Sequence, residues 1–220
     1  MTMGTARTEQ ADGTRERILH TAERLFAERG VYAVSNRRVS EAAQQGNNAA
    51  VGYHFGTKAD LVRAITRKHS RRIEENRERL LAGIADPTDI GEWVACLVRP
   101  TTEHLAALGS PTWFARFRAQ IMTDPALQDI IAEESLSSAP MLRTLEGLNR
   151  CLPELPADVH VERGAMSRSL IVHTCAERER ALADNASTPR ATWHDTATGL
   201  IDAIVGLWTA PVTSRTGRHP

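Results

Sequence analysis

Residues Ser35–Leu61 read "SNRRVSEAAQQGNNAAVGYHFGTKADL". Ser35 can cap a helix that buries Val39, Ala42 and Ala43 on one face. Gly46-Asn47-Asn48 breaks that helix. A very short helix follows over Ala49–His54, and Gly56 stops it. Thr57-Lys58-Ala59-Asp60 then has the form of a capping box, opening a helix that carries Leu61 and Ile65. Helix, tight turn, short helix, capped helix is the order of a helix-turn-helix unit.

The chemistry of the stretch suits a nucleic-acid contact. Ala49, Ala50 and Gly52 keep the short helix narrow, as a helix entering the major groove must be. Asn47 and Asn48 can cap it and also present amides to base edges or phosphates. Tyr53 and His54 offer hydrogen-bond donors at its end. Tyr53 and Phe55, two residues apart, cannot share a helical face, so Phe55 is expected in the core and Tyr53 outside. Arg37 and Arg38 open the preceding helix; one is expected to reach a phosphate or base edge while the other stays solvated. After Thr57, Lys58 stands beside a helix N-terminus, where free N–H groups and the positive dipole end attract phosphate. Upstream, Thr14–Arg29 reads as a supporting helix. Ile18, Ala22, Leu25 and Phe26 share one face, Thr14 is placed to cap it, and Gly30 to end it.

These residues resemble the TetR-type transcriptional regulators. "YHFGTKADL" (Tyr53–Leu61) is similar to that family's Tyr-His-Phe cluster followed by Thr-Lys-x-x-Leu. "SNRRVSEAA" (Ser35–Ala43) is similar to its second helix, and "ERILHTAERLFAERGVYAV" (Glu16–Val34) to its first. The resemblance covers about residues 14–65. It departs at the turn, usually Ala-Gly-Val-Ser, which here runs Ala43-Gln44-Gln45-Gly46-Asn47, with the glycine later and one residue more. The resemblance implies DNA contacts from Arg37, Arg38, Asn47, Asn48, Ala49, Tyr53, His54, Thr57 and Lys58, with Tyr53 on a phosphate. It also implies a homodimer that binds a palindromic operator on double-stranded DNA, most often as a repressor, and a small-molecule effector that releases it.

The remainder also reads as helical. Asp86-Pro87, Ser110-Pro111, Asp124-Pro125 and the loop "CLPELPADV" (from Cys151) are breaks, and Pro100 is expected to kink or end the helix it sits in. Pro140 is expected to interrupt the segment after Pro125. Two long helices are expected at Ala157–Ala183 and Pro189–Thr209. The aromatic stripe of Trp93, Trp113, Phe114 and Phe117, with Met141, has the pattern of a core. The resemblance implies an effector pocket in this region, with His104, Arg116, Arg118 and Gln120 placed to orient a ligand and His173 a further candidate. On the final helices Met166, Leu170, Trp193, Leu200, Ile201, Ile204, Val205 and Trp208 form more apolar surface than one protomer covers, which points to a dimer interface. The alternative is that they cap the protomer's own core.

Charge divides the chain. Residues 1–80 hold 15 Lys/Arg against 10 Asp/Glu, and the rest 12 against 17, for a net charge of zero. A basic head on an acidic body suits one polyanion-facing module, although a solvated helical surface has the same balance. Three widely spaced cysteines, Cys96, Cys151 and Cys175, do not form a disulfide framework or a zinc spacing. Cys96 and Cys175 fall in apolar helical runs, as buried fillers do. The eight histidines form no metal-ligand pair, and no nucleophile triad or phosphate loop occurs. No metal, cofactor or catalytic role is expected. A signal peptide and a membrane span are lacking, so a cytoplasmic location is expected.

The fold expected is all-α: a three-helix helix-turn-helix DNA-binding head joined to a larger C-terminal helical bundle that dimerises. Residues 1–60 form the arm and head, 61–213 the ligand-binding and dimerisation domain, and 214–220 a frayed tail. Two rival readings stand beside a ligand-responsive regulator. One is an architectural protein binding DNA without sequence choice, and the other is a helical carrier or enzyme with a basic head.

Overall fold

The computed structural model describes residues 3–47 and 49–213; Asn48 and the tail 214–220 lie outside the described residues. Every regular element among the described residues is an α-helix.

Helix α1 (Met3–Arg29) starts well before Thr14. Thr14 is therefore no cap, and its hydroxyl accepts from the Arg17 guanidinium at 3.0 Å. The expected face of Ile18, Ala22, Leu25 and Phe26 is buried. Gly30 closes the helix at φ +85° and donates to the Phe26 carbonyl, a left-handed position where a side chain would be strained. Helix α2 (Asn36–Ala42) is capped by Ser35, whose Oγ accepts from the Arg38 N–H at 3.1 Å. It buries Val39 and Ser40, with Ala43 just beyond; Ala42, expected inside, is exposed.

The left-handed residue of the turn is Gln44, at φ 55°, and not Gly46. The Gln45 N–H reaches the Ser40 carbonyl and the Gln44 N–H that of Glu41, the paired bonds of a Schellman ending. Gln44, directly after Ala43, thus does the geometric task that glycine usually does. Helix α3 (Ala50–Phe55) follows, with Ala50 and Val51 buried and the Val51 N–H directed at Ser40 Oγ of α2. Gly56 (φ +82°) ends it. Thr57 and Asp60 then form a reciprocal capping box at the start of α4 (Lys58–Leu81).

Helix α5 (Ile90–Leu108) continues past Pro100 and does not end there. Proline cannot donate to the carbonyl four residues back, that of Cys96. The buried Arg77 of α4 donates to that carbonyl instead, and Asn76 Nδ2 donates to the Pro100 carbonyl at 3.2 Å. The remaining helices are α6 (Phe114–Ile121), α7 (Pro125–Leu136), α8 (Ala139–Cys151), α9 (Ala157–Ala183) and α10 (Trp193–Thr209). The segment that starts at Pro125 is interrupted as expected: α7 stops at Leu136, and Pro140 lies in the first turn of α8, after the Ser138 cap. Helix α10 begins later than Pro189, at a second capping box of Thr192 and Asp195.

Helix α5 packs between α4 and α10, and α6 lies between α1 and α9. Phe26 of α1 and Phe117 of α6 stack at 6.3 Å between ring centroids, which ties the first helix to the body. Trp93 of α5 lies over Gly147 of α8, where a Cβ would come within 2.2 Å of the indole. Only glycine admits that approach.

Candidate nucleic-acid interface

Helices α2 and α3 and the start of α4 present most of the expected contact residues to solvent. Arg37, Arg38, Asn47, Ala49, Tyr53 and Thr57 are exposed, Tyr53 to 85%. Asn48 lies outside the described residues. Asn47 Oδ1 accepts from the Ala49 N–H at 2.9 Å, and its carbonyl accepts from Ala50. Asn47 thus holds the Ala49 N–H just ahead of α3, whose N-cap is Ala49 itself, without a side-chain cap bond. Arg37 is paired with Glu41 at 2.8 Å, whereas Arg38 has no ion pair among the described residues. Arg38 is the freer cation of the two that the sequence left open.

His54 is half-buried and meets the Tyr53 ring edge-on at 5.1 Å. Phe55 turns inward against the core, with the Arg15 guanidinium 4.7 Å from its ring centroid. Lys58 is half-buried. Its Nζ donates to the Val31 carbonyl at 3.0 Å and stands 5.8 Å from the Tyr32 ring. Burial lowers its pKa. The ammonium pins the loop between α1 and α2 against the start of α4 and keeps two further N–H bonds for an anion. Asp60 occupies the same helix end, and its hydrogen bonds from Thr57 hold it below the ordinary carboxylate range.

A second cationic surface was not singled out from the sequence. Arg15, His54, Phe55, Arg63, Arg67 and Lys68 line an open groove of about 560 Å³ between α1, α3 and α4. Its arginines are partly matched, since Arg63 and Arg67 both reach Glu134. Of the four arginines in the second half of α4, Arg71, Arg72 and Arg79 are exposed and Arg77 is not. Arg77 is buried to 2% exposure for the reason given above. Its signal was Pro100, which leaves a carbonyl in need of a donor.

The effector candidates do not converge. Trp93 sits by α8 and donates to the Pro87 carbonyl at 3.0 Å. Trp113 is half-buried against His20 of α1, and Phe117 is stacked on Phe26. His104 and Phe114 both contact His69. Arg116 is paired with Glu179 at 3.1 Å, Met141 is half-buried on α8, and His173 faces solvent. A cavity between α5, α6 and α9 measures about 10 Å³, room for one water molecule.

The apolar surface candidates also divide. Trp193, Leu200, Ile204 and Trp208 are buried within the protomer, where α10 packs on α5, so they are its own core. Ile201 and Val205 are half-buried. Met166 and Leu170 of α9 are exposed to 43% and 38%, and Val161 to 71%. Burial pushes the Cys96 thiol up to about 11 and that of Cys175 up to about 12, so both stay protonated. No group of metal-binding side chains occurs among the described residues, and no helix there is long and apolar enough to cross a membrane.

Comparison with known proteins bears on the head first. Residues 18–65 match the bacterial regulatory proteins of the tetR family. The chain is 34% identical over 73 residues to the HTH-type transcriptional repressor AcnR of Corynebacterium glutamicum, covering 33% of this chain and 38% of that protein. It is 35% identical over 78 residues to the probable HTH-type transcriptional regulator ArpR of Pseudomonas putida, covering 33% and 37%. The matches thus span less than two fifths of these curated relatives. Over 86% of this chain, the fold is similar to that of a TetR family transcriptional regulator, PfmR of Thermus thermophilus, at 20% identity and a TM-score of 0.53, covering 96% of that chain.

Proposed function

We propose that the protein is a sequence-selective transcriptional regulator that binds its operator as a homodimer and is released by a small molecule, a reading supported by the match of residues 18–65 to the bacterial regulatory proteins of the tetR family. The observation that carries this reading is the α2–turn–α3 unit. The Ser35 cap and the Schellman turn lead into a short helix that exposes Gly52 and Tyr53, with Asn47 and Ala49 exposed just before it and Arg38, which has no ion pair among the described residues, close by in sequence on α2. That face is narrow, rigidly held and rich in donors, as base and phosphate contact requires. The name of the Corynebacterium relative favours repression.

One head offers few contacts, so a dimer on a two-fold operator fits the short helix. The exposed apolar residues of α9 are its proposed seam. The test is selection of duplexes from a random pool, followed by gel shifts at several salt concentrations. An enriched inverted repeat is expected, with binding that weakens steeply with salt. Arg38→Ala should weaken binding to all duplexes and lower the salt slope by about one. Tyr53→Ala should weaken binding with no loss of fold. Equal binding to every duplex would favour the architectural reading and sink the operator.

A further inference from the structure

Helix α3 has six residues, and Gly52 stands in its middle. Glycine is the poorest helix former after proline, because it gives up the most backbone freedom. Two reasons within a protein ordinarily explain such a residue. The backbone takes a left-handed φ, as at Gly30, Gly56 and Gly109, or a neighbour fills the space of the side chain, as Trp93 does at Gly147. Neither holds for Gly52. Its backbone is helical, and a Cβ built there would meet nothing within 4 Å. Gly164 and Gly206 share that open space, but in helices of 27 and 17 residues, where one poor helix former weighs less. In α3 the glycine weakens the helix and the protomer gains no packing from it.

What Gly52 offers faces outward. Ala49 lies three positions earlier on the same side, and both are exposed. Their carbonyls are already used: that of Ala49 accepts from the Tyr53 N–H at 2.9 Å, and that of Gly52 from the Gly56 N–H at 3.0 Å. The strip they form presents a methyl group and Cα hydrogens, with no side-chain donor or acceptor. A phosphate needs donors, and the edge of a G·C pair carries hydrogen-bonding groups that would be left unpaired against such a strip. The feature of the major groove that suits it is the C5-methyl of thymine.

We propose that Gly52 is the point of closest approach between α3 and the operator, where a thymine methyl occupies the place of the missing side chain, so that each half-site carries an A·T pair there. This rests on the operator-binding reading above and names what its short helix reads. The same glycine that weakens α3 in the free protein admits the base edge in the complex.

The experiment compares wild type with Gly52→Ala on the duplex that wild type selects from a random pool. It includes versions of that duplex in which single thymines of each half-site are replaced by deoxyuridine, which removes only the C5-methyl. Circular dichroism follows the melting of the free proteins. Gly52→Ala should melt about 2–4 °C above wild type, since alanine is the better helix former and has room. It should nevertheless bind the thymine duplex roughly tenfold or more weakly. At one position per half-site, deoxyuridine should weaken wild type several-fold and restore Gly52→Ala, whose added methyl fills the place of the one removed. Gly52→Ala melting well below wild type would mean that the fold itself needs the glycine, which overturns the proposal. So does a loss of affinity that no deoxyuridine relieves. A wild type that selects no sequence removes the operator and this contact together. A wild type that selects one, while Gly52→Ala binds it equally, removes the contact alone.

Discussion

The Nδ1 of His69 lies 2.8 Å from the Nε2 of His104, and both rings are buried. The other nitrogen of His69 is 2.9 Å from Glu23 Oε2, and Phe114 stacks on the His69 ring at 3.9 Å between centroids. One polar chain therefore joins α1, α4 and α5, with α6 as its lid. Two facing ring nitrogens need one proton between them, so adding a second would destroy the bond and leave a desolvated charge.

Acidification should therefore destabilise the fold before ordinary carboxylates protonate. The pKa of His104 is pushed down to about 4, chiefly by burial, then by His69; Glu23 opposes this and Arg72 of α4 adds to it. An unfolded histidine takes up its proton near 6.5. Between those values the unfolded chain binds more protons than the folded one, so the stability present above about pH 6.5 is lost as pH falls toward 4. Melting curves from pH 7.5 to 4.5 should show this fall. His104→Gln, which keeps a hydrogen-bonding group without a titrating one, should show a shallower one. Parallel curves for the two proteins would remove the assignment to His104.

The turn residue Gln44 makes a second prediction. A left-handed backbone costs a residue with a side chain on the order of 1–2 kcal/mol, and glycine avoids that cost. Gln44 is exposed, and its role in the turn is carried by its backbone N–H. Gln44→Gly should raise stability by up to about 1 kcal/mol, part of the gain being offset by the greater freedom of glycine in the unfolded chain. Denaturant titration measures this. Operator affinity should hold, since the angle between α2 and α3 is unchanged. A loss of stability would mean that the side chain contributes more than its exposure suggests.

What could be read from the sequence was mainly local. Ser35 and the Thr57/Asp60 box bond within three residues of themselves, and Gly30 and Gly56 act through their own dihedral angles, so spacing alone located them. The helical faces of α1 and α4 followed for the same reason. The misses depend on partners far along the chain. Pro100 is tolerated because Arg77, on another helix, donates to the carbonyl it abandons. Arg116 and Arg118 were equivalent until Glu179 chose between them. The apolar residues of α10 were visible, but not that α5 would cover them.

That last point decides how the proposed dimer is to be tested. Ile204 is fully buried inside the protomer, so an aspartate there would put an unpaired carboxylate in the core and unfold the chain whatever its oligomeric state. The informative position is Leu170 of α9, 38% exposed and one helical turn from Met166. If these side chains meet a two-fold mate, Leu170→Asp places two carboxylates against an apolar seam. It should leave a protomer with wild-type helix content but a monomeric mass by light scattering at micromolar concentration. Operator affinity should drop by at least tenfold, because the second head is no longer delivered by the first. If α9 instead faces solvent, the substitution replaces one exposed apolar group by a charge and changes stability by no more than about 0.5 kcal/mol. Mass and DNA affinity would then match wild type, and the seam would have to be sought on another face.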